Sequence, residues 1–104
     1  MKVRFHPAAV DEFEEAALYY ASQKPGLDLR FIEGVQAAIR AASEAPTRWR
    51  VFERDVRRCL VRVFPYAVLY SLEADHILVV AVMHCRREPG YWRPRQKDPT
   101  PGPH

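Results

Sequence analysis

Residues 57–83 read RRCLVRVFPYAVLYSLEADHILVVAVM, and the spacing of apolar side chains in this run decides the fold. Arg57–Phe64, Ala67–Glu73 and His76–Met83 are short and rich in Val, Leu, Phe and Tyr, with only Pro65-Tyr66 and Ala74-Asp75 between them. Runs of that length and composition are strands, and breaks that short are tight reversals. With Trp49–Glu53 ahead of them, closed by Arg54-Asp55, they predict an antiparallel meander of four strands. Alternation places Cys59, Val61 and Val63 on one face, and Arg58, Leu60, Arg62 and Phe64 on the other. One face then packs beneath other elements while the opposite face turns Arg58 and Arg62 outward.

Upstream, the apolar period changes from about two to about 3.6. Lys2-Val3-Arg4-Phe5-His6 alternates as a short strand that Pro7 ends. From Ala8 to Ser22, Phe13, Ala16, Ala17 and Tyr20 recur at helical spacing, and Asp11, Glu12, Glu14 and Glu15 sit in the early turns, where the helix dipole favours negative charge. Lys24-Pro25-Gly26 breaks the chain. Asp28 is the expected N-cap of a second helix over Leu29–Ala45, whose Ile32, Val35, Ile39 and Ala42 form a stripe and which Pro46 closes. Two helices joined by so short a break fold back as an antiparallel hairpin. Trp49 is expected to cover the open end of its core. The expected class is α+β: an N-terminal strand, then an antiparallel helical hairpin packed on a mainly antiparallel β-meander.

At 104 residues the chain is expected to form one domain, over residues 1–92. Residues 93–104 hold four of the nine prolines and almost no apolar side chains, which predicts a flexible tail. No apolar run approaches the roughly 18 residues that cross a bilayer, and no signal-peptide pattern opens the chain, so a cytoplasmic protein without membrane partners is expected. The two cysteines, Cys59 and Cys85, lack C-x-x-C spacing and are read as reduced thiols. Cys59, His76, His84 and Cys85 show no metal-ligand spacing, so neither a metal nor another cofactor is expected.

Charge is divided unevenly. Up to Pro46 seven acidic residues outnumber five basic ones, whereas from Thr47 onward eleven basic residues face six acidic ones. The second half is therefore a candidate footprint for a polyanion or an acidic protein segment. A basic surface also serves solubility. The densest cluster follows the last strand, where His84-Cys85-Arg86-Arg87-Glu88-Pro89-Gly90-Tyr91 gathers a histidine, two arginines and a tyrosine on a loop beside Trp92.

The order strand, helical hairpin, meander resembles the RelE/ParE superfamily of toxins from type II toxin–antitoxin modules. The resemblance rests on Arg58-x-x-x-Arg62-x-Phe64-Pro65-Tyr66-x-x-x-Tyr70 and on Met83-His84-x-x-Arg87, and covers Met1 to Trp92. It implies growth inhibition by one of two routes. RelE-like members cut messenger RNA on the ribosome, and that route assigns Arg62 and Arg87 to the scissile phosphate and His84 or Tyr91 to proton transfer. ParE-like members inhibit DNA gyrase and need no nuclease site. The His84-x-x-Arg87-x-Pro89 ending looks more like the ParE branch. Glu53 and Asp55 stand near where RelE-like nucleases carry paired lysines, and carboxylates there oppose RNA binding.

The ParE-like route is therefore the favoured reading, with the messenger RNA endoribonuclease and a non-toxic antitoxin-binding module as alternatives. The partner expected on either route is a cognate antitoxin, a small acidic protein from the adjacent gene. Its segment would fold on contact, with acidic residues pairing with arginines and apolar residues filling a groove. The residues expected to meet partners are Arg57, Arg58, Arg62, Tyr66, Tyr70, Arg86, Arg87 and Trp92. Each has a plainer use: Tyr66 and Tyr70 in packing, Arg57 and Arg58 as edge-strand charges, His84 bonding a backbone group, and Trp92 anchoring the tail to the sheet.

Overall fold

A computed structural model describes residues 1–96. In chain order these form strand β1 (Lys2–Phe5), helices α1 (Pro7–Gln23) and α2 (Leu27–Glu44), strands β2 (Val51–Glu53), β3 (Val56–Leu60), β4 (Tyr66–Leu72) and β5 (His76–His84), and a 3₁₀ turn over Arg93–Arg95. The sheet order is β1-β5-β4-β3-β2, with β1 parallel to β5 and every other pair antiparallel. This is the expected α+β arrangement, a helical hairpin on a mainly antiparallel sheet.

Local chemistry sets the helix ends. Pro7 opens α1, where its missing N–H is no loss, and His6 caps the helix by accepting the Ala8 N–H at Nδ1 (3.0 Å). Helix α2 starts two residues before the expected Leu29. Gly26 caps it at φ 85°, so Asp28 lies inside the first turn rather than at the cap. There its carboxylate meets the helix dipole.

The hairpin packs on one face of the sheet. Phe31, Val35 and Ala42 of α2 and Ala9 of α1 are fully buried against Val68, Tyr70, Ile77 and Val79. The rings of Tyr20, Phe31, Phe64 and Tyr66 meet at centroid distances of 4.9–6.2 Å, mostly edge to face. Trp49 packs at the margin of this core.

The other face is not the open surface expected. Val56, Ala67, Leu69, Val80, Ala81 and Met83 form a second apolar layer beneath Trp92, which is fully buried. The chain after β5 is thus a strap that crosses the sheet. Gly90 (φ 76°) makes the bend, and a side chain there would collide with the Arg93 guanidinium. Arg93 pairs with Glu53 on one side, and on the other Arg95 reaches Glu12 of α1. Arg93 and Arg95, which fall in the expected tail, thus contact the sheet and α1. Residues 97–104 of the expected tail lie outside the described residues.

Two local irregularities aim the functional side chains. In β5 Ala81 pairs with Leu69 but Val79 pairs with Tyr70, so Val80 is an extra, bulged residue. The bulge reverses the alternation: Ile77 and Val79 face the helices, and so do Val82 and His84. The second irregularity lies between β3 and β4. Strand β3 ends at Leu60, not Phe64, and Val63 adopts a left-handed backbone with φ 75°. The Val61 N–H donates to the Tyr66 carbonyl (2.9 Å) and the Tyr66 N–H to the Phe64 carbonyl (2.8 Å), closing a tight turn. Phe64 consequently joins Cys59 and Val61 in the core and Val63 points to solvent, the reverse of the faces that continued alternation predicts.

Candidate functional site

Strand β2 is short, and that shortness creates the larger concavity. It meets β3 only at Val51↔Arg57 and Glu53↔Val56. The preceding chain peels away, held by the half-buried Arg57, whose guanidinium donates to the Trp49 carbonyl (2.6 Å). The outer side of Arg58–Leu60 thus has no strand beside it among the described residues. Between this edge and α2 lies a groove of about 730 Å³. Its floor is Gly34, Ala37, Ala38 and Ala41, small residues on one side of the helix that let another backbone approach closely.

Apolar and cationic groups share the rim of this groove. Val51, Phe52 and Leu60 are exposed there, beside Arg50, Arg58 and Arg62. The Arg58 guanidinium lies 4.8 Å from the centre of the Phe52 ring, which holds it in place without neutralising it. Among the described residues none of these three arginines is ion-paired. A groove so built suits a segment with apolar side chains for the floor and carboxylates for the rim.

A smaller cleft of about 260 Å³ lies between α1 and the end of β5. Tyr19, Tyr66, His84, Arg87 and Tyr91 line it, together with Glu12 and Glu15. The bulge at Val80 brings His84 here, its ring edge-on to Tyr66 at 5.1 Å. His84 Nδ1 accepts the Arg86 N–H (3.0 Å), which leaves the ring proton on Nε2.

Glu12 organises the cleft. It accepts the Val82 N–H (3.0 Å), the Tyr91 hydroxyl (2.7 Å) and a bidentate pair from Arg95 (2.8 and 2.9 Å). Arg95 also donates to the Val80 carbonyl (3.2 Å), so the pair covers the part of the β5 edge that β1 does not reach. Burial, then the bond to Glu12, pushes the Tyr91 hydroxyl far above the usual tyrosine range. Burial raises the hydroxyls of Tyr66 and Tyr70 as well. Tyr91 is a fixed donor to a carboxylate and is not poised to give up its proton.

The sequence-expected residues are thus divided. Arg58 and Arg62 rim the groove, whereas Tyr66, His84, Arg87 and Tyr91 line the cleft and Arg86 is exposed beside it. The four residues of the nuclease reading do not surround one concavity. Tyr70 and Trp92, expected at a partner surface, are fully buried, and the Tyr70 hydroxyl donates to the Pro46 carbonyl (2.8 Å). Cys59 is in the core and Cys85 at the surface, both as free thiols, while His76 and His84 stand at opposite ends of β5.

Sequence reasoning missed four contributors: Arg50, Phe52, Glu12 and Arg95. The exposed apolar pair Val51-Phe52 carried a signal for the first two, since a three-residue edge strand has little to bury. Glu12 and Arg95 carried none, because they are 83 residues apart and look like ordinary surface charges.

A protein-family model described as "ParE toxin of type II toxin-antitoxin system, parDE" matches residues 3–89. No curated protein matches the chain. Among solved structures, a chain of the "Chromosomal ParDE TA system from P. aeruginosa" superposes with a TM-score of 0.71 at 10% identity, over 81% of this chain and 95% of that one. Its likeness is one of fold.

Proposed function

The chain belongs to the ParE toxin family of type II toxin–antitoxin systems, and from that premise we propose that it arrests growth by inhibiting DNA gyrase. An acidic antitoxin segment seated in the groove between α2 and β3 keeps it inactive. The observation that carries the partner reading is the groove itself: an apolar floor and three arginines with no carboxylate of their own among the described residues. Such a surface is complementary to a segment that folds on contact.

The gyrase reading draws support from how the alternative fares. A nuclease needs its phosphate-binding and proton-transferring groups around one scissile bond. Here Arg62 lines one concavity and His84, Arg87 and Tyr91 another, with the Glu12 and Glu15 carboxylates in the latter. Acidic groups there oppose an RNA phosphate.

The test is induced expression with two readouts in the same cells. Loss of plasmid supercoiling with intact messages is the expected result. Cut messages with normal supercoiling transfer the function to the nuclease route, and normal growth leaves only a binding module. For the partner, the small acidic protein encoded beside this chain's gene is expected to co-purify with it and restore growth.

A further inference from the structure

Val63 is the most exposed large apolar side chain in the described structure, at 86%, and it stands in the left-handed region with φ 75°. A β-branched residue is among the poorest choices for that backbone, because its Cβ substituents crowd the neighbouring carbonyl. The turn itself explains the conformation. Val61 and Phe64 both enter the core, and only a left-handed residue between them reverses the chain so tightly. It does not explain the side chain: Gly, Asn or Asp would satisfy the same backbone with less strain. Exposed as it is, Val63 gains almost no packing within this chain to offset the strain.

Its surroundings supply the missing reason. Val63 adjoins Arg62 on the groove rim, and Leu60, 59% exposed, lies three residues before it. Val63 itself stands outside the groove lining, one residue beyond Arg62, whose unpaired guanidinium, with those of Arg50 and Arg58, calls for carboxylates. We propose that Val63 is a specificity-determining anchor for the antitoxin, inserting into an apolar notch on the acidic segment that occupies the groove. The proposal rests on the antitoxin reading above and adds to it the residue that extends the contact beyond the groove floor. Strain held in the free toxin is offset by apolar burial in the complex.

The experiment compares wild type, V63G, V63N and V63I, each titrated with the small acidic protein encoded beside this chain's gene and each melted alone. V63G and V63N are expected to melt a few degrees above wild type, since both residues accept the left-handed backbone. Both are expected to bind about tenfold more weakly, while V63I, which keeps the apolar knob, stays within about twofold of wild type. Glycine and asparagine variants that bind as tightly as wild type overturn the anchor while leaving the groove reading intact. Variants that melt no higher than wild type overturn the strain premise, and with it the proposal. Wild-type protein that fails to bind the neighbour-encoded protein overturns the groove reading and the anchor together.

Discussion

The groove beside β3 and the cleft beside β5 are built from the same materials, arginines and aromatic rings at the margin of one sheet, yet they differ in what their charges do. In the groove Arg50, Arg58 and Arg62 lack counterions among the described residues, and Arg58 is merely propped on Phe52. In the cleft one carboxylate is fully engaged within the chain: Glu12 takes Arg95 in a bidentate pair and Tyr91 as a third donor, while the Arg87 guanidinium stacks on the Tyr91 ring. On the proposed reading the first arrangement takes a partner, whereas the second is a latch. A guanidinium serves recognition only when the fold leaves it without a carboxylate, so counting arginines says less than asking which are paired.

Breaking the latch should have the largest effect. Glu12→Ala leaves a part-buried guanidinium, a backbone N–H and a part-buried hydroxyl without their acceptor. The expected loss is about 3–5 kcal/mol in denaturant unfolding. A loss below about 1 kcal/mol would mean that the strap is held by Trp92 packing alone. The matching change on the groove side, Arg58→Ala with Arg62→Ala, is expected to leave the melting temperature nearly unchanged and weaken antitoxin binding by about 2–4 kcal/mol, read by titration. Equal effects on both quantities would erase the distinction between the two sites.

Tyr91→Phe sharpens the contrast at smaller scale. It deletes one hydrogen bond to a carboxylate, about 1.5–3 kcal/mol, without opening a cavity. It should also change the alkaline limb of stability. The folded-state pKa of Tyr91 lies above its unfolded value of about 10, so its contribution is complete below that pH and is lost as pH rises beyond it. Wild-type stability should therefore decline above about pH 10, and less steeply in Tyr91→Phe. Tyr66 and Tyr70, raised in the same direction, keep part of the slope in both proteins. The smallest effect is expected from His84→Ala with Arg87→Ala: growth arrest and its supercoiling readout should persist. Arrest abolished by that pair, with message cleavage disappearing alongside it, would place a nuclease in the cleft and overturn the gyrase reading.

Much of the scaffold was legible because it is written in short-range periodicity. The stripe Val35, Ile39 and Ala42 announced α2, and the run from Ala67 announced β4, since helix and strand bury every 3.6th or second residue. The same reasoning failed at Val63 and Phe64, where alternation was extended through a turn that a left-handed residue interrupts. It also failed at Asp28, a sound cap residue displaced by Gly26, whose left-handed backbone starts the helix earlier. Of the candidate site, Arg58 and Arg62 were found from their place in β3 and the turn after it. Trp92 was expected at a partner surface, with anchoring of the tail to the sheet as its plainer use; it is the centre of a second core, as that plainer use has it.

Element type and order, the amphipathic hairpin, the meander and the basic character of the second half were all determined by neighbours within a few residues of one another. Such neighbours set local free energy wherever the chain goes. Which arginines stay unpaired, which face His84 takes past the Val80 bulge, and how Glu12 finds Arg95 are matters of contact between segments remote in the chain. Those were decided only when α1, β5 and the strap packed together, since a long-range ion pair leaves no trace in local spacing.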